Sequence, residues 1–232
     1  MAWAVGPAVL PASPLSGGLV RSTHDLRYPT LPQRQGLDYH GHTQALNPEP
    51  SHTGMKGPER IETARRVLRK PTSADAEAVF HRYSSDPEVT RFLGWPRHRS
   101  LEHTHLFLAY SEAEWQRWPA GPYLIESRSR RQLLGSTGLA FETSLVAATG
   151  YVLAKDEWGC GYATEALSAI VGVARDLGIQ RLYALCHPGH PASVHVLEKC
   201  GFEREALQRQ AKFPNLGSGQ AEDCLCYTRT FQ

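Results

Sequence analysis

Long apolar runs are missing from this chain. Nowhere do its 232 residues approach the ~18 consecutive apolar positions of a membrane-spanning helix, which argues against a membrane partner. Charge of one sign is scarce as well. Lysine and arginine number 25 against 23 aspartate and glutamate, and the resulting +2 is too mild to draw the chain to nucleic acid or an anionic surface. Cysteine is sparse and odd in number: the five, Cys160, Cys186, Cys200, Cys224 and Cys226, all lie in the C-terminal half, and no CxxC pair has a matching second pair. That pattern excludes the disulfide framework of a small secreted domain, and Cys224-x-Cys226 would place two small thiols on one strand face rather than around a metal. The opening from Met1 to Pro7 carries no basic residue, and Pro7, Pro11 and Pro14 interrupt the apolar stretch a secretory signal needs, so a cytoplasmic protein is expected. The Gly-Lys-Ser/Thr of a P-loop is absent too.

What is present divides the chain in two. Residues 1–57 are rich in Pro, Gly, His, Ser and Thr without a sustained period, and read as a disordered or loosely attached extension. His24, His40, His42 and His52 are irregularly spaced within it and read as solvated rather than as metal ligands. Residues 58–232 are patterned. A strand over 64–69 is followed by a helix over 75–83, a short helix starting at Asp86-Pro87, and a longer one between Leu101 and Trp118. A hairpin pairs 123–126 with 133–139, and Tyr151-Val152-Leu153 is its antiparallel neighbour. Apolar positions at Ala163, Ala166, Leu167, Ile170, Val171, Ala174 and Leu177 then predict a helix stopped by Gly178. A strand at 181–186, a helix at 191–199 stopped by Gly201, and strands at 202–208 and 223–230 complete an α+β pattern.

The organising stretch is the strand, turn and helix from Tyr151 to Leu167. A helix's first turn leaves backbone N–H groups without partners at the positive end of its dipole, where phosphate is attracted. Gly159 and Gly161 let the backbone bend and let an anion approach, and Thr164 adds a hydroxyl. A nicotinamide site would need a third glycine after Ala163 and an acid ending the next strand; Thr164-Glu165 and His187 stand there instead.

The Trp158-Gly159-x-Gly161-Tyr162-Ala163-Thr164-Glu165-Ala166 segment and Ser193-x-x-Val196-Leu197-Glu198-Lys199-x-Gly201-Phe202 together resemble the GNAT superfamily of acyl-CoA-dependent N-acetyltransferases, in its RimJ/RimL (ribosomal-protein alanine acetyltransferase) branch. Glu62-Thr63-Ala64-Arg65 is similar to that branch's opening strand. The resemblance implies a mixed, mostly antiparallel twisted sheet with one splayed parallel strand pair and helices on both faces. It also implies acetyl-CoA as co-substrate and direct acetyl transfer to a small-molecule amine or a protein N-terminus, by a monomer or homodimer without a metal. The CoA pyrophosphate would lie on backbone amides of Gly159, Cys160, Gly161, Tyr162, Ala163 and Thr164, and the pantetheine between the strand at Tyr151, Val152 and Leu153 and the strand from Leu182 to Cys186, with His190 nearby. An N–H near Val152 or Leu153 would meet the thioester carbonyl.

Ser193 matches the serine that this branch places near the thiol, while His190 stands where its asparagine would be. Leu197 occupies the position of the tyrosine acid of many relatives, so that acid is missing. Glu126 and Glu142 are candidate bases or ordinary surface carboxylates. The competing reading is a non-catalytic acyl-CoA-binding module. Arg91, Arg97, His98 and Arg99 would give the acceptor rim a basic edge, beneath a loop at 213–217.

Overall fold

The computed structural model describes residues 55–205 and 209–232, so the expected extension lies almost wholly outside the described residues. Gly57, at its end, is already tied to the domain: its N–H donates to the Pro119 carbonyl at 2.8 Å, and Pro58 accepts from the Tyr123 hydroxyl.

Two antiparallel strands come first, β1 (Arg60–Glu62) and β2 (Arg66–Arg69), where one strand over 64–69 is expected from the sequence. The hairpin between them is closed by Thr63. Its N–H donates to the Arg66 carbonyl, and its hydroxyl oxygen accepts the Arg66 N–H at 3.0 Å. Helical turns follow: α1 (Ala76–Val79) runs on as a wider π turn over Phe80–Ser84, and α2 (Pro87–Thr90) is capped by the Asp86 carboxylate, which accepts from the N–H groups of Glu88 and Val89. Next come α3 (Leu101–Arg117), β3 (Pro122–Ser127), β4 (Leu133–Phe141) and β5 (Val146–Leu153). After a short turn, α4 (Tyr162–Asp176), β6 (Arg181–Cys186) and α5 (Pro191–Lys199) match the sequence expectation closely. The C-terminal part differs: of the strand expected over 202–208, β7 is Glu203–Arg204 and residues 206–208 lie outside the described residues, β8 (Arg209–Lys212) is a further short strand, and β9 (Ala221–Thr230) begins two residues early.

Among the described residues the strands form one sheet in the order β1-β2-β3-β4-β5-β6-β9-β7, with β8 also on β9. Every pairing is antiparallel except β5 with β6, which α4 connects. Side-chain alternation then sorts the core into two layers. Tyr123, Ile125, Tyr151 and Leu153 pack with Ala166, Leu167 and Ile170 of α4 and with Leu197 of α5. Leu124, Leu133 and Val152 point the other way, onto Val79, Tyr83 and Val89. Trp115 and Trp118 join the first layer, edge-on to Tyr123 and stacked on Phe141. Helices therefore cover both faces of a mixed sheet, as the resemblance implies.

Candidate functional site: a splayed strand pair opening onto a glycine turn

The parallel contact between β5 and β6 lasts three residue pairs, Val146 with Arg181, Ala147 with Leu182 and Ala148 with Tyr183, and then the strands part. Each keeps its outer partner: β5 stays on β4 to Leu153, and β6 stays on β9 to Cys186. The inner edges open a gap.

Ladder parity decides which groups face it. At one end of the β4–β5 ladder Glu142 N–H donates to the Val146 carbonyl, and at the other Ala154 N–H donates to Leu134. Antiparallel alternation between these ends assigns the even-numbered residues of β5, Val152 included, to β4. The backbone groups of Tyr151 and Leu153 face the gap instead. The Leu153 carbonyl is taken by the Trp158 indole N–H at 2.9 Å, which leaves the Leu153 N–H and the Tyr151 peptide groups directed there. Of the two amides named from the sequence, that of Leu153 is the one directed into the gap.

Beyond the gap the chain makes the glycine turn. Gly159 and Gly161 have φ of 75° and 74°, in the left-handed region that side chains resist, and α4 begins directly after Gly161. Its first rung runs from the Glu165 N–H to the Gly161 carbonyl, so the N–H groups of Tyr162, Ala163 and Thr164 stand ahead of the ladder. These residues line a cavity of about 470 Å³ together with Tyr151, Val152, Leu153, Gly159, Gly161 and His190. Nine of the cofactor-binding candidates thus meet around one space. Cys160 is the exception: its side chain is exposed, and its carbonyl accepts from Arg65. The cradle needs no side chain there. The donors present, backbone amides at a helix start and strand-edge groups above them, fit an elongated pyrophosphate-bearing ligand such as CoA.

The catalytic candidates separate. Ser193 is buried just behind Tyr151, whose hydroxyl donates to the Ser193 carbonyl at 3.0 Å and lies 3.1 Å from its Oγ. Burial pushes the Tyr151 phenol well above its ordinary range, so it is a neutral, protic group in the cavity wall. His190 lies against Phe92, ring centroids 5.0 Å apart, and burial holds its imidazole neutral, well below the usual histidine range. His187 stacks on Phe92 too, meets Phe213 edge-on, accepts the Gly189 N–H at Nδ1, and faces Glu222 with Nε2 at 3.3 Å.

Glu126 does not come to this cavity. It is paired with the Arg69 guanidinium at 2.7 Å, and Arg69 is also held by Asp75. Asp75 is desolvated by burial, yet hydrogen bonds from Arg69 and Thr72 hold its carboxyl below the ordinary range, and Arg69 is raised in turn, first by Asp75. Glu126 of β3 is one corner of a structural ion triad with Arg69 of β2 and Asp75 of the turn before α1. Glu142 accepts from the Tyr183 hydroxyl near the closed end of the β5–β6 pair.

Several wall residues are given no role by the motifs, although Val196 and Lys199 stand within one of them. Ala192, His195, Val196 and Lys199 line the cavity from one face of α5, at a helical spacing visible in the sequence in hindsight. Glu157 is a buried wall carboxylate held by Arg130 at 2.7 Å, a partner 27 residues away that no local pattern reveals.

The expected basic rim is only partly a rim. Arg91 lines the cavity, with its guanidinium over Phe92, but His98 is 3% exposed, hydrogen-bonded through Nδ1 to the Thr104 hydroxyl and packed near Trp95, Phe107 and His103. Burial, helped by His103, pushes its pKa down to about 4. The unfolded chain therefore binds this proton more readily than the folded one, so stability is full above the unfolded value near 6.5 and falls with pH toward 4. At about 1.4 kcal/mol per unit, His98 is expected to remove on the order of 2–3 kcal/mol across that window. His98→Gln should flatten the melting temperature between pH 6.5 and 4 relative to the parent chain; an unchanged slope would reject this assignment. The loop expected to overhang the site is fastened rather than free. Phe213 is buried, and Asn215 donates to the carbonyls of Thr90 and Trp95 while accepting the Arg97 N–H, all at 2.8 Å.

Among the described residues no cluster of three or more His, Cys, Asp or Glu side chains is arranged to hold a metal ion, and no helix is long and apolar enough to cross a membrane.

Comparison with known proteins agrees with this geometry. Residues 65–203 match the model of the acetyltransferase (GNAT) domain. The chain is 32% identical over 158 residues to YoaA of Bacillus subtilis (strain 168), an uncharacterized N-acetyltransferase, covering 67% of this chain and 89% of YoaA. Among solved structures, RimL, the ribosomal L7/L12 alpha-N-protein acetyltransferase in complex with coenzyme A, superposes with a TM-score of 0.64 at 24% identity, over 74% of this chain and 98% of RimL. The ribosomal-protein-S5-alanine acetyltransferase from Vibrio fischeri gives 0.62 at 17%, over 74% and 96%. The splayed pair, the glycine turn and the extent of these matches place the chain in the GNAT acetyltransferase family.

Proposed function

We propose that this chain transfers the acetyl group of acetyl-CoA directly to an amine, a small molecule or a protein N-terminus, as a member of the RimJ/RimL branch. The observation that carries the reading is the gap between β5 and β6, which leads from the Leu153 N–H into the amide-lined turn at Gly159 to Thr164. Acetyl-CoA supplies the activated acyl group. The chain's own residues bind and orient it: the amides of Tyr162 to Thr164 hold negative charge, and the Leu153 N–H is positioned to stabilise a developing oxyanion. The proton that the amine loses on attack is the one the departing thiolate takes up, while Tyr151, kept neutral by burial and hydrogen-bonded to Ser193, forms the wall beside that exchange. His190, neutral in the wall, accepts a hydrogen bond from the incoming amine and helps to aim it. With this reading go a domain over 58–232 preceded by an extension, a cytoplasmic location, a monomer or homodimer, and no metal, nucleic acid or membrane partner.

A binding-only module remains the second reading, because Leu197 is buried where many relatives carry an acid and Glu126 is committed to Arg69. One experiment separates the two. Calorimetry on the full chain with acetyl-CoA, against NADH and ATP, is expected to show selective binding in the micromolar range, and thiol release across a panel of amines is expected to exceed the no-enzyme rate. Binding without release for any amine would favour the module; no selective binding would overturn both.

A further inference from the structure

The glycine turn is not held by its own helix alone. Glu165, in the first turn of α4, reaches back to the β1–β2 hairpin, 100 residues earlier in the chain, and takes three donors there. Its Oε1 accepts the Thr63 hydroxyl at 2.6 Å and the Arg65 N–H at 2.7 Å, and its Oε2 accepts the Arg65 Nε–H at 2.7 Å. The same Arg65 side chain donates through NH1 to the Cys160 carbonyl at 3.0 Å, between the two left-handed glycines. On the other side of the hairpin, the Arg66 guanidinium covers the Tyr162 ring, 3.2 Å from its centroid.

The geometry of a peptide bond gives this contact a consequence. The bond is planar and trans, so its carbonyl and N–H point in opposite directions. Arg65 fixes the Cys160 carbonyl, and the Gly161 N–H of that same peptide must then point away from Arg65. Glycine flanked by glycine-like turns has many alternatives open to it, and without an external tether the amides at Gly159 to Tyr162 would sample them. Glu165 and Arg65 remove that freedom. Their hydrogen bonds are charge-assisted, the strongest kind available to a partly exposed pair, and the Glu165 side chain is only 14% exposed.

We propose that Glu165, acting through Arg65 and Thr63, is the positioning residue for the pyrophosphate-binding turn, and that it sets the affinity for the nucleotide half of CoA without touching the pantetheine gap. The proposal rests on the acyl-CoA reading above. It assigns to the opening hairpin a part in ligand selection, although the hairpin contributes no residue to the cavity wall.

The test compares two ligands that share the acyl-pantetheine arm and differ in the pyrophosphate and nucleotide: acetyl-CoA and S-acetylpantetheine. Binding of each to the full-length parent chain, Glu165→Gln and Arg65→Gln is measured, by calorimetry for acetyl-CoA and by ligand-observed NMR for S-acetylpantetheine. Both variants are expected to bind acetyl-CoA about tenfold to a hundredfold more weakly, and S-acetylpantetheine as the parent does. A merely structural role would weaken both ligands together, and that result, or an unchanged acetyl-CoA affinity, overturns the proposal. Arg65 is half exposed, so Arg65→Gln decides the matter should Glu165→Gln fail to fold. Absence of acetyl-CoA binding to the parent chain would instead overturn the acyl-CoA reading, and this proposal with it.

Discussion

Gly135→Ala is expected to lower the melting temperature by roughly 6–12 °C, corresponding to about 3 kcal/mol for a domain of this size. Gly135 sits in β4 opposite Leu153, in a non-hydrogen-bonded pair, the kind in which two antiparallel backbones approach most closely. A Cβ there would lie 1.9 Å from the Val152 carbonyl oxygen and 2.9 Å from the Leu153 Cα. Backbone atoms have no rotamer to escape into, so the strands must separate. The damage falls on the segment that carries Tyr151 and Leu153, and acetyl-CoA binding should weaken along with stability. Gly172→Ala is the control: a Cβ at that helical position meets nothing within 4 Å, and the change should leave the melting temperature unaltered or slightly raised. Thermal unfolding of the two variants checks the contrast. A Gly135→Ala protein melting with the parent would show that β4 and β5 do not approach as described.

Gly161→Val should act on binding more than on folding. The residue has φ of 74° and ample room, with Arg65 NH2 3.7 Å from a virtual Cβ, so the obstacle is conformational rather than steric crowding. A β-branched residue in the left-handed region costs on the order of 1–3 kcal/mol, and a surface turn escapes that cost by rearranging. Rearrangement there moves the amides of Gly161 and Tyr162 away from the anion they are meant to hold. Affinity for acetyl-CoA is expected to fall about tenfold or more, with a smaller loss of melting temperature than Gly135→Ala shows. Calorimetric titration measures it, and unchanged affinity would remove the backbone cradle from the account.

The segment from Tyr151 to Gly178 was legible in the sequence because its signals are local: two glycines before an apolar period, and a glycine at its end. The α5 helix was legible for the same reason, with Pro191 at its first turn and Gly201 after its last. What escaped is set by partners distant in sequence. The β1–β2 turn is made by the Thr63 hydroxyl rather than by Gly, Asn or Pro, so 64–69 reads as one strand. Glu126 looks as available as any carboxylate until Arg69 is found 57 positions away. His98 belongs by composition to a basic surface cluster, yet it is packed inside the α2–α3 region beside Thr104. The choice between the Val152 and Leu153 amides depends on register against β4. A shift by one residue would exchange them, and no property of the two side chains records it.

The short contact between β5 and β6 also has a mechanical meaning. Among the described residues, five strands on one side and four on the other share a seam only three residue pairs long, bridged by α4. In its backbone ladder such a sheet is two plates joined near one end, and at the open end side chains tie them, Tyr151 to Ser193 and Asn215 to the carbonyls of Thr90 and Trp95. A molecule that bonds along the gap acts as the missing stretch of seam, stitching the plates together. Occupancy would then be felt at β1 and at β9 as increased protection of their amides from exchange with solvent.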